Sequence, residues 1–207
     1  MTDIRFSKLV LFVNSLIPLV LLFWDLTHNR VGANPLEFLT RTTGMLTLVF
    51  LCLTVAVTPL RKIFGINSLV KVRRMIGLFA FFYGSLHLLT YIWFDRGFKL
   101  STVGPDVVQR PFILVGLTAF LLMVPLAITS TNKMVKRLGG KRWSKLHRLV
   151  YPAAAAAVIH YWMLVKSDTR LPLTFGFIVA LLLAYRLFVK YFPAQPPAAS
   201  GSLFPRN

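Results

Sequence analysis

The sequence predicts an all-α integral membrane protein, a six-transmembrane-helix bundle with both termini cytoplasmic. Three observations carry that prediction. Apolar residues come in runs of about 20, the length that crosses a bilayer core. The chain of 207 residues is 56% hydrophobic, with a mean hydropathy of +0.67. Its charge is strongly basic, 24 Lys and Arg against 6 Asp and Glu, a formal +18. In a soluble domain that charge would suggest a nucleic-acid partner. Here the basic residues separate apolar runs, so membrane lipid is the expected partner and nucleic acid is not.

The first run, about residues 7 to 24, is long and lacks a small-residue cleavage site, so it reads as a retained anchor rather than a secretory signal. The second, about 42 to 58, contains the single cysteine, Cys52, which excludes an internal disulfide and argues against a thiol redox site. The third (about 75 to 94) and the fifth (about 149 to 166) carry histidines, whereas the fourth (about 112 to 129) and the sixth (about 172 to 192) do not. Short loops join the six, so residues 1–192 are read as one domain. The tail 193–207, "PAQPPAASGSLFPRN", has no helical periodicity and is expected to be disordered.

Lys and Arg concentrate in cytoplasmic loops. Alternating the loops puts most of the 24 on one side: Arg5 and Lys8, the cluster from Arg61 to Arg74, the cluster from Lys133 to Arg148, and Arg186, Lys190 and Arg206. That side is read as the cytoplasm, and the topology signal accounts for the net charge.

Of four histidines, His28 lies in the first external loop and reads as a solvated residue. An ionisable side chain in hydrocarbon is costly and marks a functional site by default. His87 lies 13 residues beyond Arg74 on the third helix, and His160 lies 13 residues beyond His147 on the fifth. At about 1.5 Å per residue both sit roughly 20 Å from the cytoplasmic edge, level with each other. Two histidines at one depth on two helices of the same orientation are what axial ligation of a haem requires. Small residues accompany them: Ala153, Ala156 and Ala157 before His160, and Gly84 and Ser85 before His87. They are read as clearance for a flat macrocycle. His147 faces Arg73 and Arg74 at its own level instead of a histidine, so a second haem near the cytoplasm lacks a partner there. The three residues form a candidate site for an anionic ligand such as a flavin phosphate.

The run "VRRMIGLFAFFYGSLHLLTYIWFD", the connection "TSTNKMVKRLGGKRWSKLHRLVY" and "AVIHYW" together resemble the ferric reductase-like transmembrane family, in its methionine sulfoxide reductase branch, over nearly all of residues 5–192. The resemblance implies a haem b protein of the bacterial inner membrane. It implies electron delivery to MsrP, a periplasmic molybdenum-cofactor enzyme that reduces methionine sulfoxide in oxidised proteins. It also implies an association with FMN, and a cytosolic flavin reductase or the quinone pool as donor. The histidines that match the family pattern are His87, His147 and His160. The candidate metal and cofactor residues are thus His87, His160 and His147, with Arg73 and Arg74 at the flavin; one haem, on His87 and His160, is expected.

No dehydrogenase domain follows the sixth run, and no cysteine cluster suited to sulfoxide chemistry faces outward. The chain reads as an electron-transfer subunit, with catalysis left to a partner. Two other readings compete: a self-sufficient metalloreductase acting on external ferric or cupric ions with the same haem, and a non-redox scaffold or transporter. The absence of an intramembrane carboxylate argues against a proton relay. Trp24, Trp93 and Trp162 near external span ends, and Trp143 near a cytoplasmic one, read as interfacial anchors.

Overall fold

A computed structural model describes residues 2–95, 97–99, 101 and 103–192; the tail 193–207 lies outside the described residues. Long helices dominate: α1 Thr2–Thr27, α2 Pro35–Phe64, α3 Leu69–Thr90, α5 Pro111–Ile128, α8 Val150–Leu164 and α9 Arg170–Tyr191. Among the described residues three short helices join them, α4 Val103–Gln109, α6 Asn132–Leu138 and α7 Gly140–Leu146. Short loops are expected at these positions from the sequence. No strand occurs among the described residues.

Local chemistry explains the boundaries. The α2 start is fixed by Asn34, whose side chain accepts from the Glu37 backbone N–H, with Pro35 following the cap. Its end is fixed by Gly65 in the left-handed region, φ 70°. A π-helical turn, Tyr91–Asp95, continues α3, and a 3-10 turn, His147–Leu149, introduces α8.

Among the described residues five helices are long and apolar enough to cross a membrane: Ile4–Thr27, Pro35–Phe64, Leu69–Trp93, Pro111–Ile128 and Arg170–Tyr191. The expected fifth span is shorter than its sequence run, because α8 covers only 15 residues, about 22 Å. The 3-10 turn takes up its start, and Val165 leaves the helix in extended conformation.

The helices pack as pairs. α2 lies along α3 and α5 along α8, with α9 bridging α2 and α8, while α1 touches the bundle mainly through α3. The core runs between the pairs through Leu51, Val55, Phe79, Ala80, Tyr83, Met123, Val150 and Ala154. Phe50 stacks on both Phe79 and Tyr83, and Phe81 stacks on Phe120. Buried hydroxyls turn back onto their own helices: Thr43, Thr47 and Thr54 donate to carbonyls four residues earlier. That satisfies them where no water is at hand. Tyr83, fully buried, reaches across to donate to the Ser15 carbonyl at 2.6 Å and so ties α1 to the bundle.

The two ends of the bundle differ. At one, Arg74 donates to Asn132 Oδ1 and to the Ser130 carbonyl, bringing together the start of α3 and the end of α5. At the other, buried Asp106 accepts from Tyr91 and pairs with Arg110 at 3.0 Å, joining the π-helical turn to α4 and α5.

Candidate functional site

The two helix pairs build one kind of seat twice. His87 on α3 places Nδ1 2.9 Å from the Thr40 carbonyl oxygen on α2. His160 on α8 places Nδ1 2.6 Å from the Phe112 carbonyl oxygen on α5. A carbonyl only accepts, so in the neutral ring the proton sits on Nδ1 and Nε2 keeps its lone pair. In an α-helix each such carbonyl also faces the N–H of the residue four positions on, which is Gly44 in α2 and Gly116 in α5. A Cβ at Gly44 would stand 3.0 Å from His87 Nδ1, and one at Gly116 2.7 Å from His160 Nδ1. Glycine is what lets each ring lie against the neighbouring backbone and reach its carbonyl.

The two seats face each other. The His87 and His160 rings have centroids 6.0 Å apart and planes at 77°. A metal–imidazole bond is about 2.0–2.1 Å long, so a single ion bonded to both rings fits a separation of this order. Among the described residues no group of three or more His, Cys, Asp or Glu is placed to hold a metal ion. The protein therefore offers two imidazole nitrogens, each oriented by a backbone carbonyl in the manner of metal-binding histidines.

Of the small residues read as clearance, Ala153 and Gly84 are packed against neighbouring residues. Ala153 is completely buried in the core. The space beside Gly84 is filled by Met123, Thr47 and Phe120, the nearest atom 3.1 Å from a would-be Cβ. Both are packing positions, because small residues let helices approach closely. The glycines that serve the histidines stand on the facing helices. The sequence signal for them was weak: Gly inside an apolar helix, disfavoured by about 1 kcal/mol against Ala, at Gly44 and Gly116.

At the Arg- and Lys-rich end, His147 stacks on Trp143 with centroids 3.9 Å apart, and its Nε2 lies 3.1 Å from Thr129 Oγ1. Trp143 Nε1 donates to the Thr129 carbonyl, which fixes the stack. A cavity of about 60 Å³ is lined by Arg73, Arg74, His147, Trp143 and Ser130 together with apolar residues of α2, α3 and α5. Burial lowers the His147 pKa to about 4, and the charges of Arg73 and Arg74 add to the shift. The structure thus brings His147, Arg73 and Arg74 together, as expected, and apart from the His87–His160 pair. His28 is exposed and stacks on Trp24, in keeping with a loop residue.

An all-helical bundle with several spans long enough to cross a bilayer defines a multi-pass membrane protein. The chain belongs to the ferric reductase-like transmembrane family, whose sequence profile matches residues 15–158. It is 54% identical over 183 residues to the protein-methionine-sulfoxide reductase heme-binding subunit MsrQ of Herminiimonas arsenicoxydans, covering 87% of this chain and 84% of that one. It is 45% identical over 205 residues to the protein of the same name from Ralstonia nicotianae, covering 98% and 94%. Against the one from Rhodospirillum rubrum it is 50% identical over 183 residues, 88% of each chain.

Proposed function

We propose that this chain is the haem b-binding membrane subunit of a methionine sulfoxide reductase system. In this reading it carries electrons across the bacterial inner membrane to a periplasmic molybdenum-cofactor reductase of the MsrP type. The observation that carries the reading is the facing pair of seats, with His87 and His160 each tied through Nδ1 to a carbonyl and their rings 6.0 Å apart. Two imidazoles alone are an incomplete set for a bare metal ion, but they suit haem iron, whose remaining ligands come from the macrocycle. Haem bound there supplies one-electron chemistry.

The residues of the chain do the rest. The Thr40 and Phe112 carbonyls hold the tautomer that leaves each Nε2 lone pair available for the iron. Gly44 and Gly116 keep both rings against backbone. The apolar shell of Phe81, Phe120 and Met123 belongs to the surrounding core, where water exclusion favours an electron-transfer centre over ligand exchange. The orientation follows from the basic end being cytoplasmic, with α8 as the fifth of six crossings and both termini inside.

At the cytoplasmic end, Arg73, Arg74 and His147 receive an anionic group, the phosphate of FMN. The cavity is far below the roughly 300–1,000 Å³ typical of cofactor pockets, so it takes the phosphate and leaves the flavin ring outside. A cytosolic flavin reductase or the quinone pool supplies the electrons.

Quantifying haem and flavin per chain in the purified protein, with a dithionite-reduced minus oxidised spectrum, tests the reading. A b-type spectrum with about one haem per chain is expected. Protein that takes up no haem when haem is abundant would overturn it.

A further inference from the structure

At the basic end, α2 and α9 leave a groove between them lined by Thr58, Lys62, Tyr185, Arg186, Val189 and Lys190, with a volume of about 280 Å³. Three of these six residues are cations and none is an acid. The deepest cation is Arg186, five residues from the end of α9 and so about 7–8 Å inside it. Its guanidinium donates to the Tyr151 hydroxyl and to the Val55 carbonyl at 3.2 Å, and it stands 4.6 Å over the Tyr151 ring. Those partners are neutral. Its Nε is buried with no hydrogen-bond partner among the described residues, and another cation, Arg73, is close enough to act on it electrostatically.

A guanidinium held at this depth by neutral groups retains its full charge in a medium where an uncompensated charge is costly. Lys62 and Lys190 at the mouth of the groove add to the positive potential instead of relieving it. Both are exposed, and neither pairs with an acid among the described residues. The surface around the mouth is apolar: Ile63, Phe64, Leu187 and Phe188 are all exposed. A charged pocket at the level of the membrane interface, surrounded by apolar surface, matches a molecule with an anionic head and hydrocarbon tails.

We infer that this groove binds the phosphodiester headgroup of an anionic phospholipid. Lys62 and Lys190 contact the phosphate, Arg186 supplies the field beneath it, and the acyl chains lie along the exposed apolar faces of α2 and α9. The site is independent of the paired histidines, and its ligand is retained whether or not haem is present.

The test is native mass spectrometry of the full-length protein in detergent with added phosphatidylglycerol, phosphatidylcholine or inorganic phosphate. The variants are Lys62→Ala/Lys190→Ala and, as a control of equal charge at the same end, Lys133→Ala/Lys136→Ala. Wild type should retain phosphatidylglycerol in preference to phosphatidylcholine. Near-surface basic residues each strengthen anionic-lipid binding several-fold, so the Lys62/Lys190 variant should lose about 30-fold in retention, and the control should not. Equal loss in both variants would show a diffuse charge effect and overturn the site. Equal retention of the two lipids, or occupancy by inorganic phosphate with no lipid retained, would overturn the lipid assignment.

Discussion

Gly116 on α5 stands so close to His160 on α8 that a Cβ there would lie 2.7 Å from the ring's Nδ1, the atom that bonds the Phe112 carbonyl. Gly44 stands in the same relation to His87, with Thr40 as the carbonyl residue. In both seats the carbonyl precedes its glycine by four residues, one helical turn.

Gly116→Ala should therefore push His160 off its carbonyl. The direct steric cost is that of overpacking, about 1–3 kcal/mol, and the functional cost is loss of the ring's orientation. Haem content or the reduced-state absorption bands should change in Gly116→Ala, and less in Gly44→Ala, where the contact is 3.0 Å. Gly176→Ala, whose Cβ would meet only Val158 at 3.5 Å, should leave the spectrum as it is.

Arg73→Ala/Arg74→Ala should lose flavin on purification while keeping its haem, since both arginines line the inner cavity and neither takes part in the histidine seats. Flavin fluorescence and haem absorbance of the same sample measure the two separately. Unchanged flavin would remove these residues from the flavin site.

The membrane-embedded architecture was legible in the sequence because apolar run length and loop charge report directly on the bilayer. The levels of His87 and His160 were legible because helical rise is constant. What the sequence concealed depends on contacts between helices. Nothing around His87 indicates that its carbonyl partner is Thr40 or that Gly44 makes room for it, since both lie more than 40 residues away and meet the ring only when α2 folds back along α3. The same limit explains Ala153 and Gly84, which looked like clearance on a single helix and prove to be filled by neighbours. The short helices α6 and α7 escaped because their Lys- and Arg-rich sequence carries a charge signal and little apolar periodicity.

His147 should make stability fall on acidification. Its pKa is lowered to about 4 in the folded protein from an ordinary 6.5, first by burial and then by Arg73 and Arg74. The unfolded chain therefore binds a proton that the folded chain refuses between those values. Stability is fully present above pH 6.5 and declines as pH falls toward 4. The thermal midpoint should drop more between pH 7 and pH 5 in wild type than in His147→Gln. Equal drops would show that His147 is not the group responsible.

Tyr151→Phe removes the hydroxyl that accepts from Arg186. A hydrogen bond to a charged group contributes about 1.5–3 kcal/mol, so a stability loss of that order is expected, read from thermal unfolding in detergent. The His87–His160 pair is elsewhere in the bundle, so the haem bands of the folded variant should not move.

Whether His87 and His160 together hold the haem is decided by the reduced-minus-oxidised absorption spectrum of His87→Ala and His160→Ala, each compared with His147→Ala. Either of the first two should lose the haem or its six-coordinate b-type spectrum, while His147→Ala should keep both. Full haem content with a normal spectrum in both His87→Ala and His160→Ala would contradict it.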